Sequence, residues 1–178
     1  MNVVPALGVY AAMMRRAGKK ALDYPGGVGR VAQAVDADLL ARAIAWSGEA
    51  ASARNEAFNV TNGDVFTWEN IWPAISDALG MKPGKSVPLS MAREFPNWIE
   101  PWDALRRKHN LVAPPLKEFV GLSFQYADYS MRHGHTESGP PSIVSTVKIN
   151  RAGFTEMMDT EDMFRRWFTE ARAQRLLP

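Results

Sequence analysis

Cysteine is absent from the 178-residue sequence, which excludes disulfides, thiolate nucleophiles and cysteine-ligated zinc. The sequence also lacks an excess of one charge. It has 21 Lys and Arg against 19 Asp and Glu, a formal net charge of +2. This small excess argues against a nucleic-acid partner. The short basic runs Arg15-Arg16 and Arg106-Arg107-Lys108 are typical of solvated helix ends.

A long hydrophobic run is missing as well. The apolar stretch at residues 3–14 is too short to span a bilayer, and no basic segment precedes it as one would in a signal peptide. Its apolar residues recur at helical spacing, which predicts a helix that packs on a core. We therefore expect no membrane partner and a cytoplasmic location.

Complete catalytic motifs are lacking too. The glycines of residues 26–29 follow a proline and do not lead into G-x-G-x-x-G, so a loop is favoured over a dinucleotide site. None of the four tyrosines has a lysine four residues later, the pair that would indicate hydride transfer. Carboxylate groups near Asp36 and Asp159 lie at predicted helix starts, where capping is their usual role. The residues alone therefore provide no complete active site.

His133 and His135 are the only closely spaced histidines. An H-x-H pair in a strand can bind a metal, with Asp128 or Glu137 as the candidate third ligand. The Gly, Ser and Pro residues around the pair favour a surface loop instead. We expect no metal site.

Hydrophobic periodicity predicts a mostly helical chain with a few short strands and no regular strand–helix alternation. The type of residues 121–131 stays open between strand and helix. Helices are predicted at residues 2–17, from Asp36, from Thr67, from Pro101 to about Asn110, at 115–119, at 143–150 and from Asp159, and strands at 21–24 and 57–60.

Residues 57–72 are the most informative stretch, with a short strand, a polar turn and an amphipathic helix. Asn62 and Asp64 are turn formers, and we expect them to build the turn rather than to contact a ligand. Trp68 and Trp72 lie four residues apart, so they share one helix face and are expected in the core.

Four motifs in this order resemble the C-terminal half of the progesterone 5β-reductase/iridoid synthase-like family. This family is a branch of the extended short-chain dehydrogenase/reductases, often labelled NAD-dependent epimerase/dehydratase. The motifs are Met1-Asn2 followed by LGVYAAM and YPG, then DADLLARAIAW, then AFNVTNGDVFTWENIWP, and finally GFTEMMDTEDMFRRWF with a terminal LLP. Together they cover essentially the whole chain.

The resemblance implies an α/β fold class, mostly α with a few short strands. Residues 1–178 would form a single substrate-binding domain without the complete Rossmann domain. In the family, the N-terminal half carries the glycine-rich NADP(H) loop and the catalytic Lys and Tyr, so no catalytic residue is assigned here. NADP(H) or NAD(H) is the implied cofactor of the parent family, and tight binding by this chain alone is not expected.

The resemblance also implies site residues. Met1 and Asn2 match a Met-Asn pair that lies near the cofactor. Val35, Phe124, Tyr129 and Met131 are the implied substrate contacts, and Val35 stands where relatives often have Ser or Thr. On composition alone, Phe124, Tyr129 and Met131 are more often core than pocket residues.

The implied function is the substrate-binding part of an NAD(P)-dependent oxidoreductase acting on a small, largely apolar enone or carbonyl compound, inactive on its own. Its partners would be this small molecule and the missing N-terminal Rossmann half. The alternative is a non-catalytic binding or dimerisation module that self-associates through an exposed apolar first helix.

Overall fold

The computed structural model describes residues 2–178; Met1, a predicted cofactor contact, lies outside them. The described chain is mostly helical with a two-stranded parallel sheet, as the α/β class requires. None of the helices in this described part is long and apolar enough to cross a membrane. The elements are α1 Val4–Arg16, β1 Ala21–Tyr24, α2 Ala37–Glu49, a 3-10 turn Ala51–Ala53, α3 Trp68–Ala78, β2 Lys82–Ser86, α4 Met91–Lys108, α5 Leu116–Val120, α6 Ser123–Ser130, α7 Val147–Ala152 and α8 Thr160–Ala173.

The chain divides into two compact units. The first unit comprises Met1–Gly29, Trp68–Gly139 and Phe164–Pro178, and the second comprises Arg30–Thr67 and Pro140–Met163. The assignment of residues 1–178 to one substrate-binding domain stays a prediction.

The first unit has α1 at its centre. Residues 6–13 are all buried, because α1 packs against α4, α5 and α6. Aromatic rings fill the space around it, with the Tyr10 and Trp98 centroids 6.2 Å apart and those of Trp98 and Phe124 5.4 Å apart. The exposed apolar first helix expected under the dimerisation alternative is therefore not observed.

The parallel sheet belongs to the first unit. Ala21 pairs with Lys82 and Tyr24 with Ser86. The Trp72 indole N–H donates to the Leu22 carbonyl at 2.9 Å, so this tryptophan is a core residue as predicted. Strand β2 was not predicted, because its sequence KPGKS contains proline and glycine. Its side chains are mostly exposed, which suits an edge strand.

The predicted start of helix α4 at Pro101 was wrong. The helix begins ten residues earlier, at Met91, and contains Pro96 and Pro101 in its interior. An interior proline lacks the N–H for a helical hydrogen bond and crowds the preceding turn. Tertiary packing outweighs this cost here, since Trp98 and Trp102 on α4 are almost fully buried. The segment left open at residues 121–131 forms the helix α6.

Two further predictions, a strand at 57–60 and a helix over 143–150, were wrong in the second unit. Residues 57–60 form no strand; instead Ala32 makes isolated bridges to Phe66 and Ser142. The helix predicted at 143–150 begins only at Val147, since the residues before it run alongside the segment that contains Ala32 and bond to it. The small core of this unit consists of Leu39, Ala43, Ile149 and Phe154, packed against Trp46, Phe58, Val60 and Met158.

The side chains of Asn62 and Asp64, which were predicted to build the turn, instead bond to distant segments of the second unit. The fully buried Asn62 accepts from the Asp36 backbone N–H at 2.6 Å and donates to the Thr160 hydroxyl at 3.0 Å. The Asp64 carboxylate accepts from the backbone N–H and the hydroxyl of Thr160 at 2.9 and 2.7 Å. The two side chains thus tie the turn to the start of α8.

Candidate functional site

An open groove of about 360 Å³ in the second unit is a candidate substrate surface, because it contains Val35. We call it the Val35 groove. It is lined by Gln33, Ala34, Val35, Val60, Thr61, Pro141, Ser142, Ile143 and Val144. Three of its apolar side chains are open to solvent, with exposed fractions of 42% for Val35, 53% for Ile143 and 47% for Val144.

Two hydrogen bonds hold the two sides of the Val35 groove together. The Ser142 N–H donates to the Val31 carbonyl at 2.8 Å, and the Val144 N–H donates to the Gln33 side-chain oxygen at 2.7 Å. These bonds fix residues 142–144 beside residues 31–33.

The chemistry available in the Val35 groove is limited. None of its lining residues carries an ionisable side chain. The exposed valines and isoleucine offer dispersion contacts and burial to an apolar molecule, and Thr61 and Ser142 offer hydroxyl groups. The groove can bind an apolar body but cannot transfer a proton from its lining side chains.

The family resemblance named Val35, which lies in this groove, and its contact with a substrate stays a prediction. Ile143 and Val144 were not named, because residues 143–150 were predicted as helical. A usable signal was present. Two prolines precede a serine and two β-branched residues at 140–144, and this composition favours extended backbone over helix.

Asn2 lies in the first unit beside a smaller cavity of about 160 Å³. Its side-chain oxygen accepts from the Val4 N–H at 2.9 Å, which satisfies a free donor at the start of α1. Much of the cavity wall is apolar, including Val4, Phe119 and Trp167. This position neither tests nor removes the predicted cofactor contact.

The other predicted substrate contacts lie on or beside α6 in different environments. Phe124 and Met131 are both 1% exposed, and the Phe124 ring packs edge-on against Trp98. Tyr129 is 68% exposed. As the structure stands, only Tyr129 of these three offers its side chain to solvent, and contact of the other two with a ligand stays a prediction.

Residues 26–29 do not fit a dinucleotide phosphate site, which would need free backbone N–H groups. The Gly27 N–H donates to the Met131 carbonyl at 3.0 Å, and the Val28 N–H to the His135 carbonyl at 2.9 Å. The Gly29 N–H donates to the Glu69 carboxylate at 2.6 Å. These three N–H groups are taken, and the Glu69 carboxylate would repel a phosphate.

The buried tyrosines do not fit the role of a hydride-transfer acid either. The pKa of Tyr10 and that of Tyr24 lie above the ordinary value of 10.0, chiefly because burial disfavours the phenolate, with Asp23 and Glu69 adding to the respective shifts. A catalytic acid or base works best with a pKa near the operating pH. The two hydroxyls instead donate to the carbonyls of Asp23 and Met131.

The histidine pair lies in a loop that folds back on residues 25–29. The His133 ring approaches the Pro25 carbonyl at 3.4 Å, and the His135 backbone is bonded to Val28. Among residues 2–178 there is no group of three or more His, Asp or Glu residues arranged to hold a metal ion.

The sequence is similar to several plant enzymes along its entire length. It is 32% identical to a (S)-8-oxocitronellyl enol synthase of Catharanthus roseus and 31% identical to one of Antirrhinum majus, in each case over 100% of this chain and 45% of the relative. It is 27% identical to a 3-oxo-Delta(4,5)-steroid 5-beta-reductase of Arabidopsis thaliana, with the same coverage. No family model matches the chain. The chain thus spans about half the length of these relatives.

Proposed function

We propose, from the premise that this chain belongs to the progesterone 5β-reductase/iridoid synthase-like family of extended short-chain dehydrogenase/reductases, that it is the substrate-binding, C-terminal part of an NAD(P)-dependent reductase. The parent reaction is hydride transfer to an activated carbon–carbon or carbonyl double bond of a small, largely apolar molecule. The observation that carries this proposal is similarity along the whole chain to enzymes more than twice its length.

The Val35 groove supports an apolar substrate. Its exposed apolar side chains have no charged neighbour in the lining. A carbonyl compound with a hydrocarbon body could therefore bind there without removing water from a charged side chain. Val35 itself offers no hydroxyl group, which favours apolar contact over hydrogen bonding at this position.

The chain is proposed to be inactive alone. Within residues 26–29, the N–H groups of Gly27, Val28 and Gly29 are bonded to oxygens of this chain. The two buried tyrosines are bonded to backbone carbonyls. Cofactor binding and the catalytic Tyr and Lys are assigned to an N-terminal Rossmann half. The buried α1 gives no reason to prefer the dimerisation alternative.

Titration of the isolated chain with NADPH, followed by cofactor fluorescence, tests whether this chain lacks cofactor binding and activity on its own. We expect no saturable binding and no loss of NADPH absorbance when an enone is added. Tight cofactor binding or turnover by this chain would overturn the proposal.

A chimera tests the substrate role directly. The N-terminal part of the Catharanthus roseus relative is joined to this chain, and NADPH consumption is measured with open-chain and cyclic enones. The Val35→Asp variant is expected to raise KM by about tenfold or more, because a carboxylate would have to lose water against an apolar substrate. Val65→Asp is the matched control, since Val65 is exposed in the same unit but does not line the groove. Equal effects of the two variants would contradict the assignment.

A further inference from the structure

Two basic runs that are far apart in the sequence meet at one cleft of the first unit. The cleft has a volume of about 520 Å³ and is lined by Ala12, Arg15, Arg16, Leu105, Lys108, His109 and Pro178. Arg15 and Arg16 form the last turn of α1, and Lys108 and His109 end α4. We call this surface the basic cleft. The proposed function makes no use of it.

The basic cleft combines an apolar floor with a charged rim. Ala12 and Leu105 are buried, whereas Arg16, Lys108 and His109 are exposed. No Asp or Glu lines it. Within the described residues 2–178, neither Arg16 nor Lys108 forms an ion pair with a carboxylate. The rim charges are therefore available to a ligand.

Arg15 adds a partly buried positive charge at the edge of the floor. Its guanidinium donates to the backbone oxygens of Leu79 and Pro178 at 2.6 and 3.4 Å. The pKa of Arg15 is lowered from its ordinary value, chiefly by burial and further by the nearby charge of Arg172.

The helix ends do not cancel this charge. Basic residues at a helix C-terminus usually offset its partial negative charge of about half a unit. The ends of α1 and α4 together supply about one negative unit against the three charges of Arg15, Arg16 and Lys108. A carboxylate at Pro178 would cancel about one more positive charge, and the nearby guanidinium of Arg172 would add about one back. The basic cleft thus keeps a positive excess of about two charges.

We propose that the basic cleft binds a small organic anion with two or more negative charges, such as a phosphate ester or a polycarboxylate. Its volume falls within the range of small-molecule sites, roughly 300–1,000 Å³. The guanidinium and ammonium groups of Arg16 and Lys108 suit such oxygens, and the floor of Ala12 and Leu105 accommodates a short carbon body. This inference does not depend on the proposed function, because no residue of the basic cleft lines the Val35 groove or is a predicted substrate or cofactor contact.

Calorimetric titration of the whole chain with pyrophosphate and with citrate at low salt tests the proposal. We expect saturable binding of one anion, weakened as salt rises because exposed charges are screened. The double variant Arg16→Glu/Lys108→Glu is expected to lower the affinity by about tenfold or more, given the modest worth of each exposed ion pair. Amide signals of these two residues should move on binding in NMR spectra.

The matched control is the double variant Arg93→Glu/Lys117→Glu. It changes the net charge equally at two exposed positions outside the cleft, and Arg93 lies roughly 22 Å from Lys108 along α4 at the helical rise of about 1.5 Å per residue. Undiminished binding by this control supports a local site. Equal losses in both double variants, heats of dilution only for both anions, or tighter binding of an acidic peptide than of pyrophosphate would each overturn the proposal.

Discussion

At the residue scale, Asn62 is the buried polar side chain on which the second unit most depends. Both ends of its amide are used, one by the Asp36 N–H and the other by the Thr160 hydroxyl. Its backbone also bonds to Ala34 and Met158. One short side chain therefore joins three separate segments of the chain.

The Asn62→Ala variant tests this role. It leaves the buried Asp36 N–H without its acceptor and removes the amide donor to the Thr160 hydroxyl, which keeps its bond to Asp64. We therefore expect the free energy of unfolding to fall by roughly 1–3 kcal/mol. The measurement is urea denaturation. Asn59→Ala is the control, because Asn59 is exposed and makes one side-chain bond, to the Ser145 carbonyl; a fall of similar size there would refute the special position of Asn62.

The two buried tyrosines predict a loss of stability at alkaline pH. The pKa of Tyr10 and that of Tyr24 are raised in the folded chain, so the unfolded chain releases these protons first. The stabilising contribution is complete below about pH 10 and declines as the pH rises toward the folded pKa values. Unfolding free energies measured above pH 10 should decline less steeply for Tyr10→Phe/Tyr24→Phe than for the parent chain. Tyr129→Phe, at an exposed position, should keep the parent profile, and identical slopes for all three chains would contradict the argument.

At the element scale, α4 shows how tertiary contacts start a helix that its own sequence would delay. The Ser90 side chain accepts from the Arg93 N–H. The Asp128 carboxylate, supplied by α6, accepts from the Ser90 hydroxyl at 2.6 Å and from the N–H groups of Met91 and Ala92 at 2.9 and 3.2 Å. Three free donors at the helix start are thereby satisfied from another element.

Removal of this cap by Asp128→Ala should lower the free energy of unfolding by about 1–3 kcal/mol, since three hydrogen bonds to a carboxylate are lost. Hydrogen exchange of the Met91 and Ala92 amides should accelerate. Asp103→Ala is the control, because Asp103 only pairs with Arg106 on a partly exposed face and should cost less than about 1 kcal/mol. If the control costs as much as Asp128→Ala, the cap is not what stabilises α4.

The sequence predicted elements whose local signals agree with their packing. The helices α1, α2, α3 and α8 follow apolar periodicity, and the Asp36 side chain caps α2 as expected. It failed where distant residues decide the outcome. The prolines before residue 101 argued against a helix that starts at Met91, where the Asp128 carboxylate accepts from the first N–H groups. The apolar pattern of 143–150 was interpreted as one helix, although the Val144 N–H is bonded to the Gln33 side chain.

At the scale of the whole molecule, the two units differ in how much core they bury. The second unit depends on the four-residue core around Phe154 and Leu39, whereas the first buries α1 along most of its length together with a set of aromatic rings. Cooperative units with less buried apolar surface open at lower free energy. We expect hydrogen exchange to be faster in α2 and α7 than in α1.

The Phe154→Ala variant should widen this difference. Loss of a buried phenyl ring costs roughly 3–5 kcal/mol, and the effect should fall on the amides of α2 and α7 while those of α1 keep their protection. Met157→Ala is the control, because that neighbouring side chain is 70% exposed. Acceleration of α1 to the same extent would show that the two units open as one.

The same scale explains how much of the candidate site could be foreseen. Motif order was enough to indicate the family and to suggest Val35 as a substrate contact, because both can be read from a linear sequence; the contact itself stays a prediction. The Val35 groove and the basic cleft each form between segments that are far apart in the sequence, such as those of Arg16 and Lys108. No local sequence pattern predicts that two such segments lie side by side.

Residues 26–29 have a consequence for reading functional sites from mutational scans. A Cβ atom at Gly26 would collide with the Tyr24 hydroxyl, one at Gly27 with carbonyl oxygens of Arg132 and His135, and one at Gly29 with Glu69. Gly26 and Gly27 would also meet backbone oxygens, those of Met131 and of Arg132 and His135 respectively. These two positions should tolerate substitution as poorly as catalytic residues do, although the Gly27 N–H is already bonded within the chain. Intolerance of substitution at these glycines would report how closely the loop of residues 26–29 approaches its neighbours. A search that takes a substitution-intolerant glycine run as a nucleotide site would be misled here.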